Sequence, residues 1–340
     1  MKIIDLFSGI GGFSLGFQRA GYQFSEHYFS EIDKHAIANY KYNFPHAKYI
    51  GDITTLHGGD FTDIDIITFG SPCQNFSTAG RREGLKGAKS SLIQYAIALI
   101  TEVRPSVFIW ENVKGAFSSN AGADFWAIIQ AFANIGGYRL EFQLLNTKWV
   151  LPQNRERIYL IGHLAGRSQP GVFPITEDDC APRKEKTYQF QAKLSGTLKA
   201  NGNMNADDTY IIPKTASTLT GGGHSGGLHS DMTIIRQLPR GKNKGADLKI
   251  CPTISSNAFQ ENNLLEGVRR LTEIECERLQ GFPDNWTQYG DYNGTIKSIA
   301  RTQRYKLIGN AVTVDIVELI AKRLKFIVDE FTPYTQKEMV

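Results

Sequence analysis

The first 165 residues alternate short apolar runs with segments in which apolar residues recur at helical spacing. This alternation is typical of a layered α/β fold, in which helices cover the faces of a mostly parallel sheet. We predict a Rossmann-like sheet with strands over 3–7, 28–30, 64–69, 107–110, 139–146 and 157–163. The intervening helices are predicted over 13–20, 34–43, 92–103 and 124–135.

The pattern changes near residue 166. The segment 168–268 has few long apolar runs and no helical period, which favours a smaller, loop-rich β domain. Helical spacing returns over 272–280 and again over 314–327, where a stripe of Val, Ile and Leu indicates a buried helix.

Length and composition set limits on the class of protein. A chain of 340 residues is long enough for two domains and a sizeable core, and its net charge of +4 does not identify a partner. No apolar stretch approaches the roughly 18 residues that span a bilayer, and no signal peptide is recognisable. The four cysteines lack the close spacing of zinc or redox motifs, so we expect a reducing, cytoplasmic setting and no metal.

A glycine-rich turn at 7–12 (Phe-Ser-Gly-Ile-Gly-Gly) follows the first predicted strand. Such a turn lets a ligand approach the backbone at a helix N-terminus. A dinucleotide fingerprint would have glycine where this chain has Ser14, which weakens an NAD site. Glu31 is placed to accept from ribose hydroxyls, and Asp52 from an adenine amino group. The pattern indicates an adenosine-containing ligand; a tight turn with ordinary surface carboxylates is the alternative.

A single cysteine follows the predicted strand 64–69, within the segment 70–77 (Gly-Ser-Pro-Cys-Gln-Asn-Phe-Ser). A buried cysteine is more often an inert small hydrophobe. Here Glu111 follows another strand of the same sheet, and Arg155 and Arg157 stand at the start of a third. Because open α/β sheets bind ligands at the carboxyl ends of their strands, these groups favour Cys73 as a nucleophile.

These motifs, taken in chain order, resemble the cytosine-5 DNA methyltransferase family of bacterial or phage type. The resemblance extends through the block 270–283 and through Gly-Asn-Ala-Val at 309–312. It implies a class I methyltransferase fold with a discontinuous catalytic and cofactor-binding domain, 1–167 plus 301–340. It further implies a target-recognition domain at 168–268 and a connecting segment at 269–300.

The resemblance implies methyl transfer from S-adenosylmethionine to carbon 5 of a cytosine in a specific short duplex sequence, leaving S-adenosylhomocysteine. Carbon 5 is a weak nucleophile, and addition of the Cys73 thiolate at carbon 6 would activate it. Glu111 would hydrogen-bond or protonate ring nitrogen 3, and Arg157 would hold the base carbonyl oxygen. Arg155 completes the catalytic set as a positioning arginine. The base would have to be flipped out of the duplex.

The resemblance also carries a set of binding residues. Contacts to S-adenosylmethionine are implied for Phe7, Gly9, Gly11, Glu31, Ile32, Asp52, Ile53, Pro72 and Asn310. Contacts to DNA are expected from Gln74, Ser77, Arg81, Arg82, Lys89, Arg236, Arg240, Lys242 and Lys244. Most of the DNA set lies in two basic segments, 75–91 and 236–249. Family members usually have arginine where this chain has Lys89, which puts a bidentate contact there in doubt.

Four other functions fit this sequence less well. An amino-methylating DNA enzyme would have proline in place of Cys73, and a transfer-RNA cytosine methyltransferase would show Cys-Phe-Thr where this chain has Cys-Pro-Thr at 251–253. A non-catalytic DNA-binding relative would be expected to lack Cys73 or Glu111. An NAD oxidoreductase explains neither the cysteine nor the paired arginines. The expected partner is double-stranded DNA, bound by a monomer, with a separate restriction endonuclease as a possible companion.

Overall fold

The computed structural model describes residues 1–71, 92–180 and 269–327, together with four short strands between 235 and 265. Side chains are described throughout the three long ranges, except at 118, 119, 121, 269 and 270. Of the short strands, only the backbone is described.

A seven-stranded sheet dominates the N-terminal half. The strands of this half are β1 (Lys2–Leu6), β2 (Glu26–Ser30), β3 (Lys48–Tyr49), β4 (Ile66–Gly70), β5 (Val107–Val113), β6 (Tyr138–Asn146), β7 (Gln153–Asn154), β8 (Glu156–Leu164) and β9 (Ser168–Gln169). The order across the sheet is β3-β2-β1-β4-β5-β8-β6. The pairs from β3 to β5 are parallel, whereas β8 runs antiparallel to β5. The predicted α/β class and mostly parallel sheet are confirmed.

Helices lie between the strands as predicted. They are α1 (Gly12–Arg19), α2 (Lys34–Asn43), α3 (Leu92–Val103) and α4 (Ala123–Asn134). On α4, Phe125, Ile128 and Phe132 recur at three- and four-residue spacing and are buried. The central strands β4 and β5 are mostly apolar and buried, because both faces of the sheet are covered there. The rings of Trp110 and Phe132 meet in this core with centroids 5.6 Å apart.

Backbone compactness divides the chain into two units. The first consists of Met1–Leu145, Glu156–Ile175 and Ile316–Val340, and the second of Asn146–Arg155 and Thr176–Asp315. The first unit is discontinuous, but residues 146–155 and 301–315 belong to the second by this criterion. Compactness does not assign function, so the domain boundaries at 167, 268 and 300 stay predictions.

The described part of the second unit contains short, mostly antiparallel strands and two α-helices. Its remaining elements are β10 (Ile235–Gln237), β11 (Ala246–Leu248), β12 (Cys251–Pro252), β13 (Asn263–Leu265), β14 (Arg269–Arg270), α5 (Glu273–Leu279), β15 (Tyr289–Asp291), β16 (Ile296–Ser298) and α6 (Arg301–Asn310). Four strands form a sheet in the order β11-β10-β13-β14. Helix α5 begins with a capping box, in which Thr272 and Glu275 each bind the other's backbone N–H.

The C-terminal helix α7 (Val314–Arg323) buries Ile316, Val317 and Ile320. The prediction that it continues to residue 327 is wrong. Lys325 and Phe326 form β17, which pairs antiparallel with β9 in the first unit. Backbone pairing with a distant strand overrides the local helical pattern here. Among the described residues, no helix is long and apolar enough to cross a membrane, and no cluster of three metal-ligating side chains occurs.

Candidate active site

Within the described residues, the predicted site residues of the first unit lie at one edge of the sheet. Leu6 at the end of β1 is paired with Ser30 on β2 and with Phe69 on β4. Gly70 at the end of β4 is paired with Glu111 on β5. The turn after β1, the residues after β2, Gly70 at the end of β4 and Glu111 therefore share this edge, where parallel α/β sheets bind ligands.

The glycine turn follows β1 with a left-handed backbone. Phe7, Gly9 and Gly11 have φ angles of +48°, +54° and +82°. A Cβ on Gly11 would clash with the ring of Phe44, whereas a Cβ on Gly9 would meet nothing within 4 Å. Gly11 is thus required by packing, and Gly9 leaves open space beside the backbone.

Glu31 supports this turn from the end of β2. Its Oε2 accepts the Gly9 N–H at 2.9 Å, and its Oε1 accepts the N–H groups of Ile32 and Asp33 at 2.8 and 2.9 Å. An ionised carboxylate can accept about four hydrogen bonds, so Oε2 retains acceptor capacity toward the turn. The neighbouring Ile32 side chain is 73% exposed, an unusual amount for an aliphatic group.

Asp52 lies beyond β3, next to the same edge. Its Oδ1 caps a short 3-10 helix by accepting the Thr54 N–H at 3.0 Å, and Ile53 is buried. The Ser30 hydroxyl on β2 donates to the Gly51 carbonyl at 2.7 Å. This bond ties the strand that carries Glu31 to the turn that carries Asp52.

Glu111 and Arg157 face each other across β5 and β8. Glu111 is directly opposite Tyr159, and Arg157 lies two residues along on the same face. The Arg157 Nε is 3.1 Å from Glu111 Oε1. Within the described part of the chain, this oxygen receives no hydrogen bond of good geometry, although Glu111 is only 6% exposed. The contact is therefore a charge pair, and the carboxylate keeps capacity for a further donor.

Ser71 is held by two donors from β5. The Trp110 Nε1–H and the Asn112 amide donate to its hydroxyl at 2.9 and 3.2 Å. Sequence reasoning missed both contacts. Asn112 directly follows Glu111 in the motif, which was the available signal. These bonds hold the backbone two residues before Cys73.

Arg155 lies in the second unit and has different contacts from Arg157. It is 3% exposed, and its guanidinium donates to the carbonyl oxygens of Ala311 at 2.8 Å and Gly309 at 3.5 Å. Asn310, the exposed last residue of α6, lies between these two carbonyls in sequence. These hydrogen bonds connect the predicted site residue Arg155 to the predicted motif at 309–312.

All but one of the remaining predicted site residues lie outside the described residues. These are Pro72, Cys73, Gln74, Ser77, Arg81, Arg82, Lys89, Arg240, Lys242 and Lys244. Arg236 lies on β10, where its backbone pairs with Asp247 on β11 and Leu264 on β13. Their assigned roles stay predictions.

Comparison with known proteins identifies what this arrangement is similar to. A model of the C-5 cytosine-specific DNA methylase family matches residues 1–326. The type II methyltransferase M.Bsp6I of Bacillus sp. (strain RFL6) is 30% identical over 338 residues, covering 95% of this chain and 98% of the relative. The type II methyltransferase M1.ScrFI of Lactococcus lactis subsp. cremoris is 32% identical over 344 residues, covering 95% and 77%.

A phage protein and a solved structure are also similar. The orphan methyltransferase M.SPRI of Bacillus phage SPR is 25% identical over 432 residues, covering 95% of this chain and 97% of the relative. A crystal structure described as a candidate DNA modification methyltransferase encoded within a prophage (E. coli) superposes with a TM-score of 0.56. It is 24% identical and covers 95% of this chain and 97% of the other, which supports the fold.

Proposed function

Because the chain belongs to the C-5 cytosine-specific DNA methylase family and is a DNA (cytosine-5-)-methyltransferase, we propose that it works through a covalent adduct between Cys73 and carbon 6 of cytosine. The family consists of S-adenosylmethionine-dependent enzymes acting on DNA. The proposal adds the residues that perform the reaction, the use of this cofactor by this chain, and a specific short duplex site as substrate.

The observation that carries the proposal is the buried Glu111 carboxylate. It lies at the ligand-binding edge of the sheet, and Arg157 Nε approaches it to 3.1 Å without a well-aligned hydrogen bond. A buried polar atom in this state is stabilised when a ligand supplies the missing donor. The exocyclic amino group and the protonated ring nitrogen 3 of cytosine are donors of this kind.

The residue chemistry follows from these positions. The Cys73 thiolate adds to carbon 6, and Glu111 donates a proton or hydrogen bond to nitrogen 3, so electron density moves to carbon 5. Arg157 stabilises negative charge on the carbonyl oxygen at carbon 2. After the methyl group is in place, a base removes the proton from carbon 5, the thiolate leaves carbon 6, and any proton on nitrogen 3 returns to Glu111. This restores the aromatic ring and the free enzyme.

The turn region fits S-adenosylmethionine, which supplies the methyl group when bound. Gly9 leaves open space beside its backbone, Glu31 Oε2 retains acceptor capacity suited to a ribose hydroxyl, and Ile32 offers an exposed apolar surface for adenine. Asp52 Oδ1 is engaged by Thr54, which leaves Oδ2 for the adenine amino group. Phe7, Gly11, Ile53, Pro72 and Asn310 complete the proposed set.

DNA contacts are assigned to the two basic segments. Residues 75–91 carry four positive charges against Glu83, and residues 236–249 carry five against Asp247. Lys and Arg at these densities suit phosphate contacts, which would make the affinity depend on salt. We further propose a monomer that acts as a type II modification enzyme in the cytoplasm, with any cognate endonuclease acting as a separate protein.

The experiment that tests the function uses labelled S-adenosylmethionine with duplex DNA, followed by bisulfite sequencing. We expect 5-methylcytosine at one short recurring sequence. Transfer RNA serves as the competing substrate, because exclusive labelling of RNA would overturn the proposed substrate. Cys73→Ala is expected to abolish turnover and trapping of a covalent complex on DNA containing 5-fluorocytosine. Full turnover by Cys73→Ala would contradict the covalent mechanism.

A further inference from the structure

Behind the glycine turn lies a buried polar cluster to which the reaction assigns no role. It consists of Asp5 on β1, Ser14 on α1, His27 on β2, Tyr40 on α2 and Thr68 on β4, and we call it the Asp5 cluster. Four of its members have no exposed surface, and His27 is 7% exposed. Five polar side chains from five elements in one apolar interior are costly unless they bind one another.

Hydrogen bonds converge on the Asp5 carboxylate. The hydroxyl of Thr68 donates to Oδ1 at 3.1 Å, and those of Ser14 and Tyr40 each donate to Oδ2 at 3.1 Å. The oxygens of Ser14 and Tyr40 are themselves 2.7 Å apart. The His27 Nε2 completes the cluster, at 2.7 Å from the Tyr40 oxygen and 3.0 Å from the Ser14 oxygen.

The number of protons in the cluster depends on the state of Asp5. Thr68, Ser14 and Tyr40 bring one hydroxyl proton each, and a neutral His27 brings one more in the tautomer that is protonated on Nε2. With Asp5 ionised, all of these are used, and the short contact between Ser14 and Tyr40 has no proton of its own. When Oδ2 is protonated, it donates to the hydroxyl of Ser14 or of Tyr40. That hydroxyl no longer donates to Oδ2, and its own proton is free to bond the other hydroxyl. The geometry therefore accommodates one further proton.

The burial of Asp5 favours that proton near neutral pH. Burial raises the pKa of Asp5 to about 7, against the lowering effect of the hydroxyls of Ser14, Thr68 and Tyr40 and with a raising effect of Glu31. Burial lowers the pKa of His27 to about 4, so the imidazole is neutral. Within the described residues, the titratable groups facing Asp5 are Tyr40 from α2, His27 from β2 and Glu31 at the end of β2, whereas α1 and β4 contribute hydroxyls only.

The cluster holds both ends of the glycine turn. Asp5 lies two residues before Phe7, and Ser14 lies in the first turn of α1, which begins directly after Gly11. Tyr40 also supports the middle of the turn, because its ring and that of Phe44 pack where a Cβ on Gly11 would stand. A change in the hydrogen bonds of Asp5 therefore acts on the backbone that borders the proposed cofactor site.

We propose that Asp5 is a positioning residue for the cofactor turn and that it binds a proton which S-adenosylmethionine displaces. This inference rests on the proposed cofactor site. S-adenosylmethionine carries a sulfonium charge that S-adenosylhomocysteine lacks, and a cation favours the ionised form of a nearby carboxyl group in a poorly solvated interior. Linkage then makes the substrate cofactor bind more tightly as Asp5 loses its proton. S-adenosylhomocysteine lacks that charge, so its affinity increases less when Asp5 loses its proton.

His27 supplies the route by which the proton reaches solvent. It lines a surface cleft of about 220 Å³ together with Phe24, Phe44 and His46, and its Nε2 touches Tyr40 and Ser14 within the cluster. When the neutral imidazole carries its proton on Nδ1, its Nε2 accepts a proton that Asp5 releases along the hydroxyls of Ser14 and Tyr40, and the Nδ1 proton is then lost. The proton leaves to bulk water through this cleft.

The test is calorimetric binding of S-adenosylmethionine and S-adenosylhomocysteine to the whole protein between pH 6 and 8, in buffers of different ionisation enthalpy. We expect proton release with S-adenosylmethionine. We also expect its Kd to fall as the pH rises, by up to about tenfold in total for each unit by which binding lowers the pKa of Asp5. The amino group common to both ligands also titrates near this range. Titration of that amino group still affects binding to Asp5→Asn. For this variant we therefore expect little difference in pH dependence between the two ligands.

A second pair of variants covers the case in which Asp5→Asn does not fold. Thr68→Val removes one donor to Asp5 and is expected to raise the midpoint of the carboxyl titration, followed by carbon-13 NMR of labelled aspartate. Ser30→Ala removes a buried hydroxyl that bonds Gly51 instead, and should leave that midpoint unchanged. Equal proton release by wild type and Asp5→Asn, or an unmoved midpoint in Thr68→Val, overturns the inference. Absence of cofactor binding at every pH overturns the proposed cofactor site itself.

Discussion

Glu111 on β5 and Arg157 on β8 form a charge pair in the interior, with Oε1 and Nε 3.1 Å apart. The two residues lie on one face of neighbouring antiparallel strands, and Arg157 is two residues away from the position directly opposite Glu111. The Arg157 Nη1 also donates to the carbonyl oxygen of Glu156 at 2.8 Å, which restrains the guanidinium. A carboxylate and a guanidinium are thereby presented together at the edge where β4 leads toward Cys73.

Glu111→Gln is expected to reduce the single-turnover rate of methylation by about 10² to 10⁴, because the amide cannot donate a proton to the ring nitrogen. The matched control is Glu156→Gln, which removes a half-exposed carboxylate that pairs with Lys114 on the surface. That variant should retain the wild-type rate, since exposed ion pairs contribute little. Equal rates for Glu111→Gln and the wild type would contradict the proposed role of Glu111.

Gly11→Ala is expected to lower the free energy of unfolding by about 2 to 4 kcal/mol, because of its left-handed backbone and the clash with Phe44. Gly59→Ala is the control, since Gly59 has an ordinary φ and no atom within 4 Å of the added Cβ. Its effect should stay within about 0.5 kcal/mol. Urea denaturation measures both, and similar midpoints for the two variants would show that the turn tolerates a side chain.

Arg155→Met keeps much of the side-chain volume but removes the donors to Gly309 and Ala311. We expect a loss of about 2 to 4 kcal/mol in unfolding free energy, because two buried carbonyl oxygens lose charged donors. Arg139→Met, at an exposed position on β6, should change stability by less than about 0.5 kcal/mol. If both variants unfold at the same denaturant concentration, Arg155 does not hold the 309–311 turn.

Glu141 gives a pH-dependent contribution to stability. Burial raises its pKa, but the hydrogen bond from His163 and the N–H groups of Phe173 and Val172 together bring the pKa below the ordinary value of 4.5. A lowered folded pKa stabilises the protein above pH 4.5, and this contribution is lost as pH falls through the folded value. Glu141→Gln should therefore be less stable by about 2 kcal/mol at pH 7 and approach the wild type as the pH falls through the folded pKa of Glu141.

The measurement is the urea midpoint of wild type and Glu141→Gln between pH 3 and 7. Glu177→Gln serves as the control, because this carboxylate is exposed in a short 3-10 helix. A constant difference between Glu141→Gln and wild type across this range would show that Glu141 does not titrate as described.

Local patterns predicted much of the sheet and the edge that carries the site. The predicted strand over 107–110 is the start of β5, and the helix over 92–103 matches α3 at both ends. The two-residue strand β3 was missed, because both residues are exposed and too few to show a period. Ser14 was interpreted only as a departure from a dinucleotide fingerprint, whereas its hydroxyl donates to Asp5 within a buried cluster.

Sequence alone determined the α/β class, the family motifs and the residue types at the ends of β1, β2, β4 and β5, because strand periodicity and turn chemistry are local properties. Tertiary structure decided the antiparallel direction of β8, the strand at 325–326 and the different surroundings of Arg155 and Arg157. It also decided the burial of Asp5 and the hydrogen bonds that Asp5 accepts from Ser14, Tyr40 and Thr68. These features depend on partners distant in the chain, and on how completely water is excluded around them, which no local pattern encodes.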